Sequence, residues 1–123
     1  MAKILVADDN DQIRNMLVVV LEEAGYEVFT ASNGIDAEKL FRERKPDLVI
    51  TDIVMPDQEG VKTILDIRRL DPAARIIAMS GGSEHLTGDD CLRSLRVLAK
   101  GVLVFQKPLD LMALLKTVKE LIG

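Results

Sequence analysis

Five polar side chains that could do chemistry each follow a short apolar segment of this chain. They are three acids, one hydroxyl and one amine: Asp8, Asp9, Asp52, Ser80 and Lys107. Short, uninterrupted apolar segments are typical of strands buried on both faces of a parallel sheet. Because the carboxyl ends of parallel strands meet at one edge of the sheet, where ligands bind, we expect these side chains to share one crevice.

Crowding of the three carboxylates makes this crevice a candidate metal site. Two carboxylates 4 Å apart repel each other by about 4 kcal/mol at an effective dielectric constant of roughly 20. Lys107 can offset one negative charge, and an all-oxygen set with few protein ligands suits Mg²⁺ for the remainder. A phosphoryl group would supply oxygens to the metal, to Lys107 and to the Ser80 hydroxyl. No His or Cys is placed as a nucleophile, so a carboxylate is the candidate for covalent attack.

The elements that must position these residues alternate along the chain. Strands are predicted at residues 3–7, 26–31, 48–50, 75–79 and 102–105. Helices are predicted at residues 13–24, 35–44, 60–70, 91–100 and onward from Asp110, the expected N-cap of the last one. This alternation predicts right-handed βαβ crossovers, and therefore an α/β fold with a parallel sheet between two layers of helices.

Composition narrows the class of protein. With 123 residues, 48% of them hydrophobic and 29% charged, the chain is predicted to form one folded domain over residues 1–123. A net charge of −4 and an aromatic content of 3% argue against nucleic-acid binding. The single cysteine, Cys91, excludes an internal disulfide. Since no segment has membrane-spanning length or a signal-peptide pattern, we expect a cytoplasmic protein with no membrane partner.

Four motifs, in this order and at this spacing, are similar to those of one known family. They are Ile4 to Asn10 with its acid pair, Asp52 to Pro56 with Gly60 eight residues after the acid, Ser80, and Lys107-Pro108. On these residues, the chain resembles the receiver domain of two-component response regulators, including the chemotaxis regulators. The resemblance covers essentially the whole length.

This resemblance implies a flavodoxin-like (βα)5 fold, a three-layer sandwich around a parallel sheet of order 2-1-3-4-5. It also implies that Asp52 accepts a phosphoryl group from the phosphohistidine of a sensor histidine kinase or phosphotransfer protein. The domain would then change conformation and control an output partner or domain. Such a protein assists its own phosphorylation and dephosphorylation, but it is not an enzyme that turns over a metabolite.

The resemblance also implies a role for each residue of the crevice. Asp9 and Asp52 would bind Mg²⁺ directly, Asp8 would act through a water molecule, and the Val54 carbonyl would complete the protein ligands. Lys107 would pair with Asp52 and then with the phosphoryl oxygens.

Three further expectations follow from the same resemblance. Ser80 would take the place of the family's switch Thr or Ser, and the Lys107–Pro108 bond would be cis. A homodimer, where one forms, would use the last two helices and the fifth strand.

The chain departs from the family pattern at its fifth strand. The switch aromatic usually stands three residues before the lysine, and here that position is Val104. Phe105 beside it should point to the opposite face of the sheet. We therefore expect the conformational signal to run through the loop at 81–90 and the helix that follows it.

Three other functions remain as alternatives. A phosphohydrolase of the haloacid-dehalogenase type also forms an aspartyl-phosphate, but it needs a second acid where Val54 stands. A receiver-like domain used only for interaction would not need the acids, Ser80 and Lys107, all of which are present. A flavin-binding module would need a phosphate-binding loop of Ser, Thr and Gly in place of the acidic first loop.

Overall fold

A five-stranded parallel sheet organises the chain in the computed structural model, which describes residues 2–53, 60–80 and 101–123. Its strands are β1 (Lys3–Ala7), β2 (Glu27–Ala31), β3 (Leu48–Asp52), β4 (Ile76–Ser80) and β5 (Leu103–Gln106). The helices of the described ranges are α1 (Asp11–Glu23), α2 (Gly34–Arg44), α3 (Gly60–Leu70) and α4 (Leu111–Ile122). None of these helices is long and apolar enough to cross a membrane.

The strand order is β2-β1-β3-β4-β5, which confirms the order predicted from the resemblance. All four strand pairs are parallel, so the strands end at one edge of the sheet, which we call the carboxyl edge, and begin at the opposite one, the amino edge. Every residue of β3 and β4 is buried, as their apolar sequences predicted. In the register, Thr51 of β3 lies beside Ala7 of β1, and Asp52 lies beside Met79 of β4.

Two separate apolar cores, one on each face of the sheet, confirm the three-layer arrangement. Alternate residues along a strand face opposite sides, so neighbours such as Ile4 and Leu5 belong to different cores. One core joins the sheet to Ala37 and Phe41 of α2 and to Ile64 and Ile67 of α3. The other joins it to α1 and α4 through four buried side chains: Leu17, Leu21, Leu114 and Val118.

Side-chain caps fix where three helices begin. Asn10, Asn33 and Asp110 each precede a helix and accept a hydrogen bond from the backbone N–H three residues later. The cap predicted at Asp110 is thereby confirmed, with 3.1 Å between its Oδ1 and the N of Ala113. α2 ends before Pro46 with Lys45 in the left-handed region, at φ 48°.

The structure corrects three details of the sequence prediction. The apolar stripe and polar border predicted for α3 ran along Val61, Ile64, Leu65 and Arg68. Ile64 is buried and Leu65 is partly buried, but the fully buried residues also include Thr63 and Ile67, which the prediction missed. Met16, predicted as part of the buried face of α1, is 37% exposed. The fifth strand starts one residue later than predicted. The helix predicted at 91–100 and the loop at 81–90 lie outside the described residues.

Candidate functional site

Strand ends of the sheet carry the candidate residues to the carboxyl edge. Asp8 directly follows β1, and its backbone N–H donates to the Ala31 carbonyl at the end of β2 (3.1 Å). Asp52 is the last residue of β3. Lys107 directly follows β5, and its N–H donates to the Ser80 carbonyl at the end of β4 (2.8 Å). Backbone hydrogen bonds to the neighbouring strand thus continue for one residue beyond β1 and β5. These bonds fix the positions of Asp8 and Lys107 where the chain leaves the sheet.

A lysine between two buried carboxylates lies at the centre of this site. The Lys107 Nζ donates to Asp52 Oδ2 at 2.7 Å and lies 3.1 Å from Asp8 Oδ2. One carboxylate oxygen from each of Asp8, Asp9 and Asp52 lies within 4.8 Å of the other two. The structure therefore brings together four of the residues that the sequence singled out, from three separate parts of the chain.

The turn between β1 and α1 is held by a residue that the sequence analysis missed. The Arg14 Nη1 donates to the Asp8 carbonyl at 2.8 Å, and its Nη2 pairs with Asp11. From the other side, the Asn10 N–H donates to Asp8 Oδ1 at 2.9 Å. A cation in the first turn of a helix opposes the helix dipole, and this mismatch was the available signal that Arg14 serves the acidic turn.

Burial decides the electrostatics of the acids. Asp8 is fully buried, Asp52 is 3% exposed, and Asp9 is exposed. Burial raises the pKa of Asp8, and the charge of Asp52 raises it further, although the Asn10 N–H and Lys107 act in the opposite direction. Burial by itself would lower the pKa of Lys107, but the hydrogen bond and charge of Asp52, with the charge of Asp8, raise it overall. The pKa shift of Asp8 therefore comes mainly from burial, and the pKa shift of Lys107 comes from the two acids beside it.

The acid cluster fits a hard divalent cation. Three ionised carboxylates and one ammonium leave two negative charges, which is what one such cation neutralises. Asp8 Oδ2 is buried and accepts no hydrogen bond from the described residues, since Lys107 approaches it at ion-pair distance without hydrogen-bond geometry. A buried oxygen without a donor is costly and is satisfied by a ligand such as a metal ion or its water. The all-oxygen donor set favours Mg²⁺ over metals that prefer nitrogen or sulfur.

Ser80 and Val54 complete the set of predicted site residues. Ser80 ends β4 at the carboxyl edge and is 8% exposed. It directly follows Met79, the residue that lies beside Asp52 in the strand register. Val54, whose carbonyl was the expected fourth protein ligand, lies outside the described residues. The peptide bond between Lys107 and Pro108 is cis, as expected.

The two residues at the departure from the family pattern differ in environment. Phe105 is partly buried against the core that includes α1 and α4. Val104 is 39% exposed, and by strand alternation its side chain lies on the other face of the sheet. This arrangement agrees with the expectation that Phe105 does not occupy the position of a switch aromatic. The proposed route through residues 81–100 falls outside the described part of the chain and stays a prediction.

Comparison with known protein families gives a match over nearly the whole chain. The model of the response regulator receiver domain matches residues 4–119. The chemotaxis protein CheY of Thermotoga maritima is 42% identical over 79 residues, which are 63% of this chain and 66% of that protein. The CheY of Halobacterium salinarum is 34% identical and covers 88% of this chain and 90% of its own length.

A longer relative and a solved structure extend the comparison. The DNA-binding transcriptional regulator NtrC of Azospirillum brasilense is 35% identical over 97% of this chain, which spans only 24% of that protein. The crystal structure of a response regulator receiver domain protein from Clostridium thermocellum superposes with a TM-score of 0.86 at 29% identity. It covers 99% of this chain and 94% of its own.

Proposed function

Since this chain belongs to the response regulator receiver domain family, we propose that Asp52 is its phosphoacceptor and that Lys107 and Ser80 assist the transfer. The contact that carries the proposal is the 2.7 Å hydrogen bond between Lys107 Nζ and Asp52 Oδ2, across 55 positions of the chain. Of the three clustered acids, Asp52 is the one this ammonium group binds most closely. It also ends the central strand, at the crevice where ligands of such sheets bind.

Mg²⁺ is the cofactor in this proposal. Asp9 and Asp52 would hold it directly, Asp8 through a water molecule, and the Val54 carbonyl would complete the protein ligands. When bound, the metal ion withdraws charge from the phosphoryl oxygens and so favours attack by an anion. Asp8 Oδ2, which has no hydrogen-bond donor in the described residues, supports this assignment.

The transfer needs no proton from the receiver. A carboxylate oxygen of Asp52 forms a bond to phosphorus, and the bond from phosphorus to the histidine nitrogen of the donor breaks, with its electron pair remaining on nitrogen. Lys107 stays an ammonium group throughout, because its raised pKa keeps it protonated. It pairs with Asp52 beforehand and with the phosphoryl oxygens afterwards, while the Ser80 hydroxyl donates to another of those oxygens.

The partners follow from this chemistry. A sensor histidine kinase or phosphotransfer protein supplies the phosphohistidine, and an output protein or domain responds to the phosphorylated state. We propose a cytoplasmic location, one receiver domain over residues 1–123, and a homodimer interface, where one forms, on β5, α4 and the helix predicted at 91–100. Each chain takes up one phosphoryl group per cycle, so the protein acts as a signalling component and does not turn over a metabolite.

Incubation with Mg²⁺ and acetyl phosphate tests the proposal directly. We expect intact mass spectrometry to show one added phosphoryl group on the chain, and no addition in Asp52→Asn or when EDTA replaces Mg²⁺. Asp47→Asn is the matched control, because Asp47 precedes the same strand at the amino edge of the sheet. This variant should still be phosphorylated.

The same experiment separates the alternatives. A phosphohydrolase would release phosphate over many turnovers, an interaction-only domain would gain no mass, and a flavin-binding module would bind flavin instead. An adduct that persists in Asp52→Asn would contradict the assignment of Asp52.

A further inference from the structure

The amino edge of the sheet contains a cavity that the phosphoacceptor chemistry does not use. It has a volume of about 690 Å³ and lies between the ends of α2 and α3 and the segments that lead into β3 and β4. That volume is within the range of pockets that bind small organic molecules, roughly 300–1,000 Å³. The cavity is at the opposite ends of the two strands that carry Asp52 and Ser80.

Two of the basic side chains that line this cavity have no partner within the described structure. Three cations line it, of which Arg42 pairs with Glu38 at 2.8 Å. The side chains of Lys45 and Arg75 form no hydrogen bond or ion pair within the described structure. Each of these two therefore has its full charge available to a ligand.

The acids that line the cavity are already used by the backbone. Asp47 Oδ2 accepts from the N–H of Lys3 at 2.7 Å, and Asp71 Oδ1 accepts from the N–H of Ala73 at 3.0 Å. Both acids thus fix the segments that form the walls. Their structural role explains their presence without a cationic ligand.

Apolar surface forms the rest of the wall. Phe41 and Ala74 are buried at the cavity, and Leu70 is 44% exposed beside them. An exposed leucine next to unpaired cations suits a ligand that has both an anionic group and an apolar body. A free inorganic ion would leave this surface in water.

The charge of the cavity is close to balanced, so an anion depends on direct contact with its two cations. The carboxyl ends of α2 and α3 both lie at the cavity and each contributes about half of a negative charge. Asp47 and Asp71 add two negative charges, which their hydrogen bonds to backbone N–H groups do not remove. Lys45 and Arg75 supply two positive charges, and the basic residues in the last turns of both helices offset the dipoles.

The backbone at Lys45 gives an independent reason to assign a role to its side chain. Lys45 is the one non-glycine residue with a positive φ among the described residues. After α1, the chain places Gly25 at φ 98°, where no side chain is strained. The strain of about 1–2 kcal/mol at this position exceeds the gain of less than about 1 kcal/mol that a cation has at a helix end, so the lysine points to a role for its ammonium group at the cavity.

We infer that the cavity between the ends of α2 and α3 is a second ligand site, which binds a small organic anion through Lys45 and Arg75. The ligand class is a phosphate or carboxylate carried on an apolar or ring-shaped body. The inference goes beyond the phosphoacceptor function and does not rest on it, because the two sites share no residue.

NMR titration of the ¹⁵N-labelled chain without Mg²⁺ tests this inference. The probes are AMP, which carries a phosphate, phenylacetate, which carries a carboxylate, and adenosine, which is uncharged. We expect saturable shifts of the amides at residues 41–47 and 70–75 with at least one anion, and about tenfold weaker binding of adenosine. Comparison of AMP with phenylacetate identifies the preferred anionic group.

Variants decide whether the cations carry the binding. Lys45→Gln with Arg75→Gln should weaken the anion at least tenfold, whereas Lys116→Gln with Lys119→Gln, two exposed lysines of α4, should leave binding unchanged. Asp52→Asn should also leave it unchanged, which separates this site from the phosphoacceptor. The inference is wrong if neither anion saturates by about 10 mM. It is equally wrong if the shifts survive in the first double variant or cluster at Lys107.

Discussion

The two edges of the sheet carry opposite charge. At the carboxyl edge, Asp8, Asp9 and Asp52 lie together, and two of them, Asp8 and Asp52, share one lysine. At the amino edge, Lys45 and Arg75 line a cavity next to cations in the last turns of α2 and α3. Parallel strands and their crossover helices produce this separation, since the helices begin near the carboxyl edge and end near the amino edge.

Helix dipoles explain the sign of the charge at each edge, but not its arrangement. Anions are favoured near helix starts and cations near helix ends, by less than about 1 kcal/mol each. The cations of the amino edge are exposed, so they cost little. The acids of the carboxyl edge include two that are buried and crowded, at a cost greater than the dipoles can offset. A costly arrangement of this kind is typical of a functional site.

The largest effect is expected on removal of the lysine that pairs with the buried acids of the carboxyl edge. Lys107→Met removes the ammonium group that pairs with buried Asp8 and Asp52, and loss of one member of a buried ion pair costs about 3 kcal/mol. We expect the free energy of unfolding in urea, at pH 7 without Mg²⁺, to fall by about that amount. Added Mg²⁺ should restore part of the loss, because it compensates the same acids.

An exposed lysine provides the control for this comparison. Lys116→Met removes an equal charge from α4 and should change the free energy of unfolding by less than about 0.5 kcal/mol. Equal losses in the two variants would mean that net charge, and not the buried pair, is what Lys107 supplies.

Relief of the crowding should have a smaller effect of the opposite sign. Asp8→Asn removes a buried negative charge beside Asp52 and should raise the free energy of unfolding without Mg²⁺ by about 1 kcal/mol at pH 7. Asp9→Asn is the matched control and should give a smaller gain, because Asp9 is exposed. With saturating Mg²⁺, the order should reverse and the wild-type chain should be more stable.

The pH dependence of Asp8→Asn follows from the sign of the pKa shift. The pKa of Asp8 is raised in the folded state above its ordinary value of 3.8, so the folded state binds the proton more tightly than the unfolded state. The stability that Asp8 contributes is complete below pH 3.8 and is lost as the pH rises through the raised pKa. Urea unfolding between pH 3 and 7 should show a gain from Asp8→Asn that grows with pH. A gain that is constant over this range would contradict burial as its cause.

Much of the fold could be predicted from the sequence because the central strands have a strong local signal. The segments of β1, β3 and β4 are continuously apolar, and only a sheet covered on both faces buries them completely. The strand order came from the resemblance, since strand pairing depends on contacts that are distant in the chain. The prediction for α3 missed Ile67, because Leu65 and Ile67 are both apolar, and only packing against the sheet buries Ile67 fully and Leu65 in part.

The candidate site could be predicted in composition but not in detail. Strand ends identified Asp8, Asp9, Asp52 and Lys107, because a parallel sheet brings such ends to one edge. Neither the pattern nor the resemblance revealed that Lys107 contacts both buried acids, since this depends on side-chain geometry. The cavity at Lys45 was also missed, because a charged helix end in sequence looks like an ordinary solvated surface.

The smallest expected effect concerns the backbone of the amino edge. Lys45→Gly replaces a residue strained at φ 48° by one that adopts this conformation freely, which gains about 1–2 kcal/mol. The extra freedom of glycine in the unfolded chain takes back about 0.5–1 kcal/mol. We therefore expect the free energy of unfolding to rise by about 0.5 kcal/mol, while Lys45→Gln leaves it unchanged. A loss of stability in Lys45→Gly would mean that the lysine side chain supports the fold, and that its place at the cavity needs no ligand to explain it.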